Sequence, residues 1–310
     1  MRYVAGYTAD PRGSDAVNLA VAMARRQGAT LDLVMVMPQN SQYNGVYPHE
    51  AGFETILAEQ VSQWLDEGLA LIPEDIQAQA HIRSGESEAE ELIAAAEELG
   101  ASLLIIGGSN TGIFKRFSIG AVANSLLHAS TIPVVLAPAG YSRTEPITRL
   151  TCALGTRAGA EGVLQSGIAM AKRRSLPLRL VSLVAVGPGE STATVEDAKK
   201  HLLQVAATGD GASADVLDTL DMEIVVGTGR SIEDAVDNLK WKKGEILLIG
   251  SSRLAQNNSI FLGSTANRIL RALPVPMIVV PRNYVLQAKE LFPTTEIPVI
   301  DAEEIAEAEK

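Results

Sequence analysis

Val275-Pro276-Met277-Ile278-Val279-Val280-Pro281 is a short apolar run bracketed by prolines. Ile132-Pro133-Val134-Val135-Leu136-Ala137-Pro138 is the same kind of run, 143 residues earlier. Working back from each, the register holds. Leu262-Gly263-Ser264-Thr265-Ala266-Asn267 answers Ile119-Gly120-Ala121-Val122-Ala123-Asn124, and Ile249-Gly250-Ser251-Ser252 answers Ile106-Gly107-Gly108-Ser109, again 143 apart. A constant offset over such a distance is an internal repeat, not a chance likeness of apolar runs. Further upstream the offset is 147: Met23-Ala24-Arg25-Arg26 answers Met170-Ala171-Lys172-Arg173, and Leu31-Asp32-Leu33-Val34 answers Leu178-Arg179-Leu180-Val181. The second copy is therefore shorter between its second and third strands, where the first has Tyr43 to Leu71 and the second Pro188 to Thr219.

Each copy reads as alternating strand and helix. In the first, strands are expected at Tyr3–Tyr7, Thr30–Met35, Ala78–Arg83, Leu103–Gly107 and Pro133–Ala137, with helices at Asp15–Gln27, Glu54–Leu71, Ser87–Leu99 and Gly120–His128. Ser87 with Glu90 three residues later is a capping box. Ala89, Leu92, Ile93 and Ala96 then give one apolar helix face. The second copy repeats that face as Ile232, Ala235, Val236 and Leu239 after Ser231 and Asp234. The glutamates at 86, 88, 90, 91, 97 and 98 read as the solvated side. Short strands joined by helical crossovers force parallel pairing with right-handed connections. The expected fold is α/β: two tandem copies of an open, five-stranded, mostly parallel sheet with helices on both faces, Rossmann-like in type. The expected limits are 1–140 for the first domain, 141–149 for a linker and 150–282 for the second domain. A C-terminal extension, 283–310, follows.

The composition agrees. The chain has 310 residues, 46% hydrophobic but only 4% aromatic, so Ala, Val, Leu and Ile must supply the core. That suits strands buried on both faces. The net charge of −11 argues against a nucleic-acid binder. The last ten residues hold five carboxylates and one lysine, so four of those charges belong to an acidic tail. Cys152, the single cysteine, excludes an intrachain disulfide and reads as a buried apolar residue. Residues 117–142 carry no Asp, Glu, Lys or Arg. Pro133 and Pro138 break that stretch into a helix and a buried strand rather than a membrane span. The chain reads as soluble and cytoplasmic, with no signal peptide and no membrane contact.

Chemistry is suggested only after the fourth strand of each copy. Gly107 is followed by Asn110 at the third position and by Gly120 and Ala121 after nine more residues. Gly250 is followed in the same way by Arg253, Gly263 and Ser264. A glycine leaving a strand lets a ligand approach the backbone. A glycine opening a helix bares amides where the dipole favours an anion. Equally, Gly107 and Gly250 can serve only a tight strand exit, and Gly120 and Gly263 only a helix start. None of His49, His81, His128 and His201 has a metal-ligand spacing. His128 and Arg271 suit helix C-termini, as do Arg25-Arg26 and Lys172-Arg173-Arg174.

On the glycine spacing, the apolar helix after it and the proline-bracketed closing strand, each copy resembles the universal stress protein domain. The whole chain resembles the tandem members of that family, over roughly 1–138 and 148–281. The resemblance implies a non-enzymatic stress-response or signalling module acting through a protein partner not named by the sequence. It implies ATP or AMP as the ligand class, with Gly107, Gly120, Gly250, Gly263 and Ser264 holding ribose and phosphates. Asn110 and Arg253 stand where the family has a further glycine, and Ala121 where it has a hydroxyl. Family members that bind ATP carry an Asp at the end of the first strand, where this chain has Tyr7-Thr8 and Leu154-Gly155. Asp10 substitutes only if its loop folds back. The sites are thus expected to be degenerate. The closing strands should pair, making an intramolecular pseudo-dimer, and a homodimer of the tandem chain stays open. Two alternatives remain: a weak ATPase on the same fold, and a regulatory partner of a transporter.

Overall fold

The computed structural model describes residues 1–25, 27–38, 51–108, 120–155, 160–186, 192–208, 221–252, 254–256 and 258–282. In the first half, β1 (Arg2–Gly6), α1 (Pro11–Ala24), β2 (Thr30–Pro38), α2 (Ala51–Ala70) and β3 (Ala78–Gly85) come first. They are followed by α3 (Glu88–Glu98), β4 (Leu103–Gly107), α4 (Ala121–Ala129) and β5 (Val134–Ala137). The second half repeats the order with β6 (Arg149–Ala153), α5 (Ala160–Arg174), β7 (Leu178–Ala185), α6 (Thr192–Thr208) and β8 (Met222–Gly229). It closes with α7 (Ile232–Asp237), β9 (Glu245–Gly250), α8 (Ser264–Ala272) and β10 (Met277–Val280).

The strands form one sheet in the order β3-β2-β1-β4-β5-β10-β9-β6-β7-β8. Every pairing within a half is parallel. The halves meet where β10 pairs antiparallel with β5, Ile278 opposite Val135. The closing strands therefore lie against each other as expected, and the two five-stranded sheets become one of ten strands.

Two apolar cores follow. One face of the sheet is covered by α1, α2, α5 and α6, with Leu19, Met23, Leu65, Leu164 and Leu202 buried there. The other is covered by α3, α4, α7 and α8, with Leu92, Leu126, Val236 and Leu270. Both cores run through both halves, because the sheet does.

Local signals placed most elements, with instructive shifts. Ser87 caps α3 by accepting from the Glu90 amide, and Ser231 caps α7 by accepting from the Asp234 amide. Helix α1 starts at Pro11, not at Asp15. The Asp10 carboxylate accepts from the Arg12 and Gly13 amides, and a proline suits the first helical position. Helix α7 stops at Asp237, yet Leu239 beyond it is still buried.

The connection between halves is strapped down at both ends. The Gly140 amide donates to Asp15 Oδ2 (2.8 Å), and Asn18 Nδ2 donates to the Tyr141 carbonyl (3.1 Å). Burial holds the Asp15 carboxyl above its ordinary value, although the Gly140 and Tyr141 amides favour its ionised form. At the other end, the Thr148 hydroxyl donates to the Lys243 carbonyl (3.1 Å). The acidic tail lies outside the described residues.

Candidate functional site

In an open doubly wound sheet, ligands sit beyond the carboxyl ends of the strands where the winding reverses. Here that is between β1 and β4 in the first half and between β6 and β9 in the second. From each pair the chain departs to opposite faces, to α1 and α4 or to α5 and α8.

In the first half, the start of α1 fills this place. A Cβ on Gly107 would lie 2.1 Å from the Arg12 carbonyl oxygen, and one on Gly13 would lie 1.9 Å from that of Thr8. The glycine that leaves β4 thus lets a helix, not only a ligand, come close. Gly107→Ala should cost about 1–3 kcal/mol by this overpacking, read as a shift in urea midpoint with an unchanged slope. Gly120 caps α4 with extended backbone and no side-chain cap. Asn110 lies outside the described residues.

Asp10 does not turn toward the crevice as a free carboxylate. It caps α1, accepts from Thr8 Oγ1 (2.8 Å), and takes Arg12 Nε and Nη2 at 2.9 and 2.6 Å. Burial works to raise its pKa, but the hydrogen bonds from Arg12, Thr8 and the Gly13 amide outweigh it, and the carboxyl sits below its ordinary value. The folded chain holds this proton less tightly than the unfolded one. Its stabilisation is therefore complete above the ordinary carboxylate range and lost as pH falls through the folded-state value. Asp10→Ala should cost about 1 kcal/mol at neutral pH. Its Tm should also fall less steeply with acid than that of the parent, as scanning calorimetry across the acid limb would show.

In the second half, among the described residues, a Cβ on Gly155 would meet nothing within 4 Å, and one on Gly250 would meet only the Val163 side chain, at 2.4 Å from Cγ2; residues 156–159, between β6 and α5, lie outside the described residues. The loop after β9 closes on itself. Ser251 Oγ accepts from the Phe261 amide (2.8 Å), the Ser252 amide donates to the Phe261 carbonyl (2.8 Å), and Ser252 Oγ accepts from the Leu254 amide (3.3 Å). This brings Ser252 beside Gly263, whose added Cβ would sit 3.5 Å from Ser252 Oγ. Gly263 starts α8 with no side-chain cap, and Ser264 and Thr265 are exposed on its first turn. The structure therefore gathers Gly250, Ser252, Gly263 and Ser264. Arg253 lies outside the described residues. Ser252 was not singled out by the glycine spacing, because only the folded loop places it over Gly263.

The same loop ties the two halves together. The Leu262 amide donates to the Leu127 carbonyl (3.1 Å) and the Ile260 amide to that of Ser130 (2.9 Å). His128, in the last turn of α4, has Nδ1 2.6 Å from the Asn124 carbonyl and its ring edge-on to Phe261, centroids 4.9 Å apart. Its place at a helix C-terminus is the one its spacing suggested. Cys152 is fully buried against Gly167, and burial pushes its thiol far above the ordinary value. His49 lies outside the described residues.

At the amino ends of the strands lie two ion clusters that local motifs did not reveal. In the first half, Asp32 takes Arg2 and His81, with His81 Nε2 2.8 Å away. In the second, Glu245 takes Arg149 and Arg179 at 2.5 Å each, and the Thr151 hydroxyl. Arg179 also lies over the Trp241 ring, 4.9 Å from its centroid. Asp32 and Glu245 are both fully buried. The only hint in the sequence was the repeat itself, which sets Asp32 against Arg179 inside otherwise apolar strands. Among the described residues no group of three or more His, Cys, Asp or Glu is placed to hold a metal, and no helix is long and apolar enough to cross a membrane.

Two tandem, doubly wound halves with glycine-opened crevices and joined closing strands define the class of protein. The model of the universal stress protein family matches residues 1–138 and 147–281, and the chain belongs to that family. A universal stress protein of Mycobacterium tuberculosis H37Rv is 29% identical over 297 residues, 91% of this chain and all of that one. Among solved structures, a universal stress protein from Archaeoglobus fulgidus DSM 4304 superposes with a TM-score of 0.62 at 16% identity, covering 91% of this chain and 98% of that one. A functionally unknown protein of Pseudomonas aeruginosa PAO1 superposes at 0.53 and 15% identity, covering 91% and 92%.

Proposed function

We propose that this universal stress protein is a non-enzymatic cytoplasmic module whose second crevice takes the ribose and phosphates of an adenine nucleotide, and whose first crevice is structural. The stress-response role is that of the family. The observation that carries the ligand is the start of α8. There an uncapped first turn carrying the exposed Ser264 lies beside the Ser252 hydroxyl at the winding reversal. Bare amides and hydroxyls at a helix N-terminus suit a phosphate. The first half has Ala121 in place of the hydroxyl, and the Arg12 backbone stands over Gly107.

Among the described residues, four groups of the kind that could act on a bound nucleotide are engaged elsewhere. Asp10 caps a helix, His81 faces Asp32, His128 faces Asn124 and Phe261, and Cys152 is entombed. Their placement supports a role in binding and signalling to a protein partner rather than turnover.

Calorimetry with ATP, ADP and AMP tests this. Solved family members in complex with dAMP and with cAMP extend the set of ligands to try. The parent should bind one of these nucleotides. Ser264→Ala should weaken binding about fivefold, one hydrogen bond's worth. Gly263→Asp should abolish it, because the new carboxylate would cap α8 and repel the phosphate. No heat at millimolar nucleotide rejects the binding site. Phosphate release above a blank, lost in Gly263→Asp, rejects the non-enzymatic reading.

A further inference from the structure

The edge of the sheet at β8 carries a feature that the nucleotide crevice does not use. The Leu178 amide bonds the Asp221 carbonyl, and the Val186 amide bonds that of Gly229. In a parallel pair such bonds recur every second residue. The backbone groups of 223, 225 and 227 therefore face β7, and those of Met222, Ile224, Val226 and Thr228 face away from the sheet. Among the described residues no strand lies beyond β8. The Thr228 carbonyl accepts from Asn238 Nδ2 (2.9 Å), which leaves Ile224 and Val226 at the middle of the open row.

Two hollows run beside this strand and share Thr228 and Asn238. One, of about 650 Å³, lies at its carboxyl end, near Arg230 and Asp234. The other, of about 290 Å³, lies along its middle, between Glu223, Val225 and Gly227 on the strand and Leu239 and Lys240 after α7. The opposite edge of the sheet is different. Strand β3 carries Gln79, His81 and Arg83, and Arg83 is held by Glu98. Each edge has one charge, Arg83 on β3 and Glu223 on β8, but β3 is polar at 79, 81 and 83, whereas β8 has Glu223, Val225 and Gly227 at the matching places. An apolar edge strand pairs where a polar one does not.

We propose that β8 is the surface on which a second copy of this chain docks, β8 against β8 in antiparallel register about a two-fold axis at Val225. An extended partner is what an open row of amides and carbonyls accepts. The strand is complementary to itself. Ile224 of each copy faces Val226 of the other, so the free groups at both positions are satisfied by four hydrogen bonds. Glu223 falls opposite Gly227 of the partner subunit, beside the smaller hollow, with Lys240 at its wall to meet the carboxylate. Pairing of like edges closes at two copies, whereas β8 on β3 would run on without end.

Three measurements on the full-length chain test the proposal. Sedimentation equilibrium of the parent at micromolar concentration should give twice the chain mass; a single-chain mass overturns it. Val226→Pro removes an amide that β7 does not use, so the fold should survive while two-chain association weakens by on the order of tenfold or more. A folded Val226→Pro that stays as tightly dimeric overturns it. The third variant depends on no loss of structure. Positions facing across the axis between hydrogen-bonded pairs bring Cα atoms to about 4.5 Å. Val225→Cys should therefore form an interchain disulfide in air, while Ile82→Cys on the opposite edge should not, and Cys152 is buried beyond reach. No disulfide at Val225→Cys, or an equal yield at Ile82→Cys, overturns the β8 interface. None of these readouts needs nucleotide, so they stand or fall apart from the crevice.

Discussion

Glu245→Ala is expected to lower the unfolding free energy by about 3–5 kcal/mol. The Glu245 carboxylate is fully buried and sits between Arg149 and Arg179, both nearly buried themselves. It also accepts from the Thr151 hydroxyl and the Lys242 amide. Removing it leaves two buried guanidiniums beside each other, with only the exposed Glu223 carboxylate, 3.5 Å from Arg149 Nη1, as counter-charge. The Lys240 carbonyl, which takes one bond from each arginine, cannot replace a charge. Thermal unfolding should show a Tm lower by about 5–8 °C. Salt should not rescue it, since buried pairs are poorly screened. The control is the triple change Arg149→Met, Arg179→Met and Glu245→Leu. If the cost is that of orphaned charge, the triple variant should be far more stable than Glu245→Ala. Equal loss in both would show that packing, not charge, is what Glu245 supplies.

The second large effect lies at the junction. Ile278→Asp should cost on the order of 5 kcal/mol. Ile278 is fully buried and paired with Val135, itself fully buried, at the one antiparallel contact in the sheet. Ile278→Val, which removes one methylene, should cost about 1 kcal/mol. Both side chains belong to the first core, which runs through both halves, and their neighbours Val134, Leu136, Met277 and Val279 belong to the second. The parent should therefore unfold in one step by circular dichroism and by tryptophan fluorescence, Trp64 reporting one half and Trp241 the other. Ile278→Asp should separate the two signals. If it unfolds in one step within about 1 kcal/mol of Ile278→Val, the halves do not depend on this strand pair.

Much of this architecture can be read from residue order. A strand buried on both faces is an apolar run, and its limits are set by Gly and Pro, so β4, β5, β9 and β10 stand out locally. The Ser87–Glu90 pair sits at the true start of α3 because capping is a contact between neighbours in sequence. The start of α1 was less legible. Asp10-Pro11 is itself a cap signal, but its meaning depended on whether Asp10 was needed at the crevice, and that is a matter of where the loop turns. Among the candidate site residues, the glycines were legible as glycines. What each accommodates was not: Gly107 faces the Arg12 carbonyl and Gly250 the Val163 side chain, and those partners arrive from elsewhere in the chain.

The sequence alone determined the repeat and the parallel winding within each half, which rest on periodicity and spacing and are local and additive along the chain. The family, and with it the pairing of the closing strands, came from the resemblance of those motifs to the universal stress protein domain. Tertiary structure alone decided how charge and openness are distributed. It set Asp32 on Arg2 and His81, and Glu245 on Arg149 and Arg179, across separations of up to 96 residues. It laid Ser252 beside Gly263, set the Arg12 backbone against Gly107 and, among the described residues, left β8 at the edge of the sheet. The physical reason is that a buried charge or a bare backbone row is defined by what surrounds it, and the surroundings come from strands that are neighbours only in the sheet.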